Sequence, residues 1–182
     1  MAGGTVYVGG DDGMVHALDA ATGRLRWTYT TGSNVNLSPE VAGGTVYIGS
    51  DDGMVYALDA ATGRLRWTHT TTDAVESSPA AAGGTVYIGG QDGTVYALDA
   101  ATGRLRWTHT TTGSVHSSPT AAEGTVYVGS DDGKIYALDA ATGRLRWAYT
   151  TGDAVGSSPA AAGGTVYVGR DDGTVYALGA GS

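Results

Sequence analysis

A 40-residue unit repeated without insertion or deletion, and glycine-rich turns between short Val/Tyr runs, predict an all-β chain. The repeat length makes the prediction specific. It is a β-propeller of four-stranded antiparallel blades, with about 4.5 repeats in the 182 residues. The whole chain, 1–182, reads as a single repeat domain. Repeats start near 3, 43, 83 and 123, and a terminal half repeat covers 163–178.

The repeat is legible from fixed landmarks. Trp falls at 27, 67, 107 and 147, Ser-Pro starts at 38, 78, 118 and 158, and Thr-Val-Tyr starts at 5, 45, 85, 125 and 165. Roughly 24 of the 40 positions are identical in all four full copies. Such uniformity points to recent amplification or to design, because diverged natural repeats usually carry loop insertions.

Each copy divides into four strands. In the second, these are Val75–Ala82, Thr85–Gly89, Thr94–Asp99 and Arg104–Thr110. Gly83-Gly84 and Gln91-Asp92-Gly93 are the tight turns, where glycine supplies positive φ. Asp99-Ala-Ala-Thr-Gly103 is a longer turn whose Asp accepts bonds from backbone N–H groups. The last copy has Gly179 at that Asp position, so the ordered structure is expected to fray there. The middle strands are apolar on both faces, as in sheets stacked face to face. The outer strand alternates, with Arg104 and Arg106 on one side and Leu105 and Trp107 on the other. Pro79 places the first strand at a sheet edge.

Composition excludes several classes. The net charge of −8 argues against a nucleic-acid partner, which needs clustered Lys and Arg. There is no cysteine, hence no disulfide and no thiolate chemistry. No apolar run reaches the ~20 residues of a membrane span. Met1-Ala-Gly-Gly-Thr5 lacks the charged and apolar regions of a signal peptide, so a soluble chain of unassigned compartment is expected.

The run Gly-Thr-Val-Tyr-Val-Gly-Ser-Asp-Asp-Gly, then Tyr-Ala-Leu-Asp-Ala-Ala-Thr-Gly, then Leu-Arg-Trp resembles the pyrroloquinoline-quinone (PQQ) type propeller repeat along the whole chain. The resemblance implies that Trp27, Trp67, Trp107 and Trp147 dock neighbouring blades, and that the ring is large, near eight blades. WD40 repeats are similar in length, but Trp here is never followed by Asp. The resemblance does not extend to a cofactor. Quinoprotein dehydrogenases hold PQQ with a vicinal disulfide, a stacked Trp and a calcium site, and nothing here departs from the repeat to build one. No cofactor is expected.

Closure is the open question. The chain carries five second–third hairpins but only four first and four fourth strands. One chain could close with five blades, or with four and a spare hairpin. Two chains could share a ring of eight to ten. The homodimer ring is the preferred reading, because an open end would expose apolar sheet faces.

Candidate sites lie where the repeat varies. Asn36, Glu76, His116 and Gly156 occupy one blade-to-blade position at the rim of the expected channel, where a protein or small ligand could bind. Drift in exposed loops explains the same variation. The Asp pairs Asp51-Asp52 and Asp131-Asp132 could offer oxygens to Ca²⁺. Asp-Gly is also the favoured hairpin turn, and recurrence once per blade, at Asp11-Asp12, Asp92 and Asp171-Asp172, fits that role. No asymmetric Ser–His–Asp set stands out, so no catalytic residues are assigned. The reading that follows is a non-catalytic scaffold or designed repeat protein. A ligand- or protein-binding sensor module of a larger bacterial protein is the alternative. A quinoprotein dehydrogenase fragment ranks third.

Overall fold

A computed structural model describes residues 3–170 and 172–179. Its 18 strands form five antiparallel sheets in chain order. Strands β1 (Thr5–Gly9), β2 (Met14–Asp19) and β3 (Leu25–Thr30) make a three-stranded sheet. Three four-stranded blades follow. They are β4 (Glu40–Ala42) to β7 (Leu65–Thr70) through β5 (Thr45–Ser50) and β6 (Met54–Asp59), then β8 (Ala80–Ala82) to β11 (Leu105–Thr110) through β9 (Thr85–Gly89) and β10 (Thr94–Asp99), then β12 (Thr120–Ala122) to β15 (Leu145–Thr150) through β13 (Thr125–Ser130) and β14 (Lys134–Asp139). A final three-stranded sheet holds β16 (Ala160–Ala162), β17 (Thr165–Gly169) and β18 (Val175–Gly179). The short strands β4, β8, β12 and β16 lie side by side, so the blades radiate from a common inner wall.

The core is the set of faces between blades. The second and third strands of the complete blades are buried along both faces, which is why their sequences are apolar at nearly every position. Between the second and third blades, Tyr47, Val55 and Val75 pack against Val86, Ile88 and Leu98. Among the described residues no helix is long and apolar enough to cross a membrane.

Two details of the strand reading need correction. The innermost strand is only three residues, Ala80–Ala82, and not Val75–Ala82. Pro79 has no N–H to give a ladder, and the Val75 amide donates instead to the Ser50 carbonyl in the preceding blade. Val75 itself is a buried plug set against Gly49, where a Cβ would lie 2.4 Å from its side chain. The second correction concerns Leu105. Pairing runs Ala97↔Trp107 and then Leu98↔Leu105, so Arg106 is the extra residue of a β-bulge. The bulge breaks the alternation, leaving Leu105 50% exposed while Trp107 is buried.

The fraying expected after Gly179 concerns residues 180–182, which lie outside the described residues, as does Asp171. Gly179 itself pairs with Thr165.

Candidate functional site

The variable rim is built by two elements that meet on one end of each blade. Hairpin turns between second and third strands carry the Asp pairs, and blade-to-blade loops run beside them. The Asp51 amide donates to the Asn34 carbonyl, and the Asp131 amide to that of Ser114. These bonds fix the loop positions 36, 76 and 116 next to the turn carboxylates.

Within that frame Asn36 Nδ2 donates to Asp51 Oδ2 at 3.1 Å. His116 lies between two blades, its Nε2 3.1 Å from Glu76 Oε2 and its Nδ1 3.0 Å from Asp131 Oδ2. Burial first, and then the charges of Glu76, Asp52 and Asp11, raise the Asp51 carboxyl above its ordinary range. The three rim residues predicted from sequence variation therefore sit together with Asp51 and Asp131 in one polar strip. All of its side chains retain solvent contact.

The second Asp of each pair has a different environment. Asp52 Oδ1 accepts from the Met54 amide, and its Oδ2 from the Gly32 amide and the Tyr56 hydroxyl, the last at 2.6 Å. Asp132 repeats this with Lys134, Thr112 and Tyr136. These carboxylates close the hairpin and tie it to the preceding blade. Among the described residues no group of three or more His, Asp or Glu is placed to hold a metal ion. Asp51, Asp52, Asp131 and Asp132 are engaged by amides and side chains of the protein itself.

The tryptophans lie at the opposite end of the blade. Trp27, Trp67 and Trp107 each donate Nε1 to a carbonyl of the next blade, those of Ala60, Ala100 and Ala140, at 3.0–3.1 Å. Tyr7, Tyr47 and Tyr87 donate to the same three carbonyls. The repeat position that would correspond for Trp147 falls on Ala180, which lies outside the described residues.

Two per-blade devices escaped the sequence reading. Arg26, Arg66, Arg106 and Arg146, at the bulge, each bridge the turn Asp (Asp19, Asp59, Asp99, Asp139) and the Thr that opens the second strand. The guanidinium and the Thr hydroxyl of the turn hold the Asp59, Asp99 and Asp139 carboxyls down at about 2. A constant Asp–Arg spacing was the available signal. The second device is a serine ladder on the inner wall. The amide of Ser38 donates to Ser78 Oγ, that of Ser78 to Ser118 Oγ, and that of Ser118 to Ser158 Oγ.

A family model described as outer membrane protein assembly factor BamB, with PQQ-type repeats, matches residues 1–114 and 56–182. The chain belongs to this family. No protein with a curated function matches the sequence. Among solved structures, BamB from Moraxella catarrhalis is 26% identical and superimposes with a TM-score of 0.84 over 98% of this chain and 58% of its own. The computationally designed Ika8 protein is 23% identical, with a TM-score of 0.89 over 98% of this chain and 56% of its own. Quinohemoprotein alcohol dehydrogenase from Comamonas testosteroni is 24% identical, with a TM-score of 0.83 over 97% and 40%. The chain therefore spans little more than half the length of the first two. It is a β-propeller arc of the PQQ-repeat family.

Proposed function

We propose that this chain is a non-catalytic propeller scaffold that joins a second copy of itself into a closed ring. The ring would offer the strip around Asn36, Glu76 and His116 to a protein or small polar ligand. The observation that carries the reading is the exposure of faces that the interior of the same molecule buries. Val175 is 71% exposed, whereas Val55, Val95 and Ile135 at the same repeat position are fully buried. At the other end Val8 is 44% exposed where Ile48 is 1%. Open apolar faces of this kind favour association.

The curvature supports closure with two copies. The arc superimposes on the designed Ika8 protein over 56% of that protein's length, so two such arcs would match a propeller of about its size. Contact between the two ends of a repeat is heterologous, and it closes only when the rotation per blade divides the circle. The non-catalytic part of the reading is supported by Asp52, Asp92 and Asp132, which hold turns and blade contacts in the three complete blades.

Sedimentation of the full chain over a hundredfold range of concentration tests the assembly. One closed species of two chains is expected at all but the lowest concentrations. A series of growing polymers would mean an open filament, and a monomer throughout would end the ring reading. Adding PQQ with Ca²⁺ should leave the melting temperature unchanged, whereas stabilisation would revive the quinoprotein alternative.

A further inference from the structure

Two copies with five sheets each can meet in two ways. The terminal sheets could stand side by side, giving ten blades of which four lack a strand. Alternatively one sheet could be built from both chains. We propose the second: β16 of each copy leaves β17 and pairs with β1 of the other copy, so that β16 and the second copy's β1–β3 form a complete four-stranded blade. Two such seams and the three complete blades of each chain make eight. The hairpin β17–β18 is left over, so the open face that this seam covers is that of β1, which carries Val8, and not that of β18. This inference rests on the two-copy ring proposed above and specifies its seam.

Four features of the chain favour the exchange. First, β1 and β17 have the same sequence, Thr-Val-Tyr-Val-Gly. The incoming strand therefore offers the β12–β15 blade the same side chains as the strand it replaces. In the chain as folded alone, β16 pairs Ala160↔Tyr167, Ala161↔Val166 and Ala162↔Thr165. The exchanged register pairs the same alanines with Tyr7, Val6 and Thr5 of the second copy. Exchange of an identical element between copies is a low-cost route to a dimer.

Second, the incoming unit is more complete. It brings an outer strand, β3, which β17–β18 lack among the described residues. A groove of about 330 Å³ lies beside that missing position, lined by Trp147, Ala148, Tyr149, Ala177, Leu178 and Gly179. The incoming unit also brings the Arg26–Asp19–Thr5 bridge. Gly179 stands where that Asp would be, so β17–β18 cannot form it.

Third, the Trp–Gly contacts leave one partner over at each end. Gly63 presses on Trp27, Gly103 on Trp67 and Gly143 on Trp107. Gly23 has nothing within 4 Å of its open side, and Trp147 meets none of these four glycines. The exchange places Gly23 of one copy against Trp147 of the other. In the side-by-side arrangement both stay unmatched.

Fourth, the serine ladder has a free donor and a free acceptor. Among the described residues the Ser158 amide has no ladder acceptor beyond it, and Ser38 Oγ receives no ladder amide. In the exchanged ring the blade after the one holding Ser158 is the one holding Ser38 of the second copy. The ladder then runs through eight serines without a gap. Ten side-by-side sheets would break it twice, because the β1–β3 sheet carries no such serine.

The test uses the full chain, which has no native cysteine. A double variant, Val6→Cys with Ala161→Cys, should form a covalent dimer under mild oxidation, since these positions face each other only across the exchanged pair. In the parent chain, amide exchange over 165–179 should be on the order of 100-fold faster or more than at Val86–Ile88, because the hairpin is displaced. A two-chain particle with no cross-link and a protected 165–179 hairpin would overturn the exchange and leave the ring standing. A monomer would overturn both.

Discussion

Trp67 lies flat against Gly103 of the next blade, so close that a Cβ on the glycine would sit 2.6 Å from the indole ring. The backbone there also has φ +70°, which an L side chain adopts at a cost. One position thus combines a steric and a conformational demand for glycine. Gly103→Ala is expected to lose about 1–3 kcal/mol in a urea denaturation series. An unchanged midpoint would show that the blades do not depend on this contact.

The indole is the other half of the joint. Trp67→Ala removes a buried ring and its bond to the Ala100 carbonyl, and should cost about 3–5 kcal/mol. Leu105→Ala, two residues from the equivalent Trp107 but half exposed by the bulge, should cost well under half as much. Equal losses would place Leu105 in the core and contradict the bulge.

Acid should act through the turn aspartates. Asp59, Asp99 and Asp139 titrate at about 2 in the fold, below the ordinary carboxylate value near 4. Their contribution is therefore complete above about pH 4 and is lost as pH falls toward 2. The melting temperature should decline across that window. Asp99→Asn should flatten the decline, and a variant that tracks the parent at every pH would remove Asp99 from the account. These pairs are partly exposed, so salt should also weaken them.

Alkali should act through the hairpin tyrosines. Burial, followed by the bond to Asp52, pushes the Tyr56 hydroxyl up to about 12, and the same causes raise Tyr136. A raised phenol stabilises the fold fully below about pH 10, and that contribution is lost as pH rises through 12. Phenolate absorbance should show a fraction of the tyrosines ionising only above pH 11. Titration of all of them as one ordinary group near 10 would be inconsistent with the buried Tyr–Asp pairs.

The rim should be nearly neutral for stability. His116 and Glu76 are each about one-third exposed, and pairs of this kind contribute about 0–1 kcal/mol. His116→Ala should melt within a few degrees of the parent and keep its assembly state. Collapse of the fold would make the strip a structural joint between blades, and no longer a binding surface.

The blade plan was legible because it is written as periodicity. Trp at every fortieth residue, Gly at the turns and apolar runs in the middle strands all follow from local chemistry that recurs. The corrections arise where tertiary geometry overrides local pattern. Alternation could not show that Arg106 sits in a bulge, where it bridges Asp99 and Thr85. Nor could it show that Val75 leaves the inner strand to fill the space beside Gly49. The rim residues were found by their variation. That His116 reaches both Glu76 and Asp131 depends on the spacing between blades, which no single repeat encodes. The serine ladder has the same origin, since each bond joins residues 40 positions apart.

Native mass spectrometry of the full chain tests the central claim most directly. A closed two-copy ring predicts one dominant species at twice the 18.3 kDa chain mass. A sample that remains at the single-chain mass, well above any plausible dissociation constant, would contradict it.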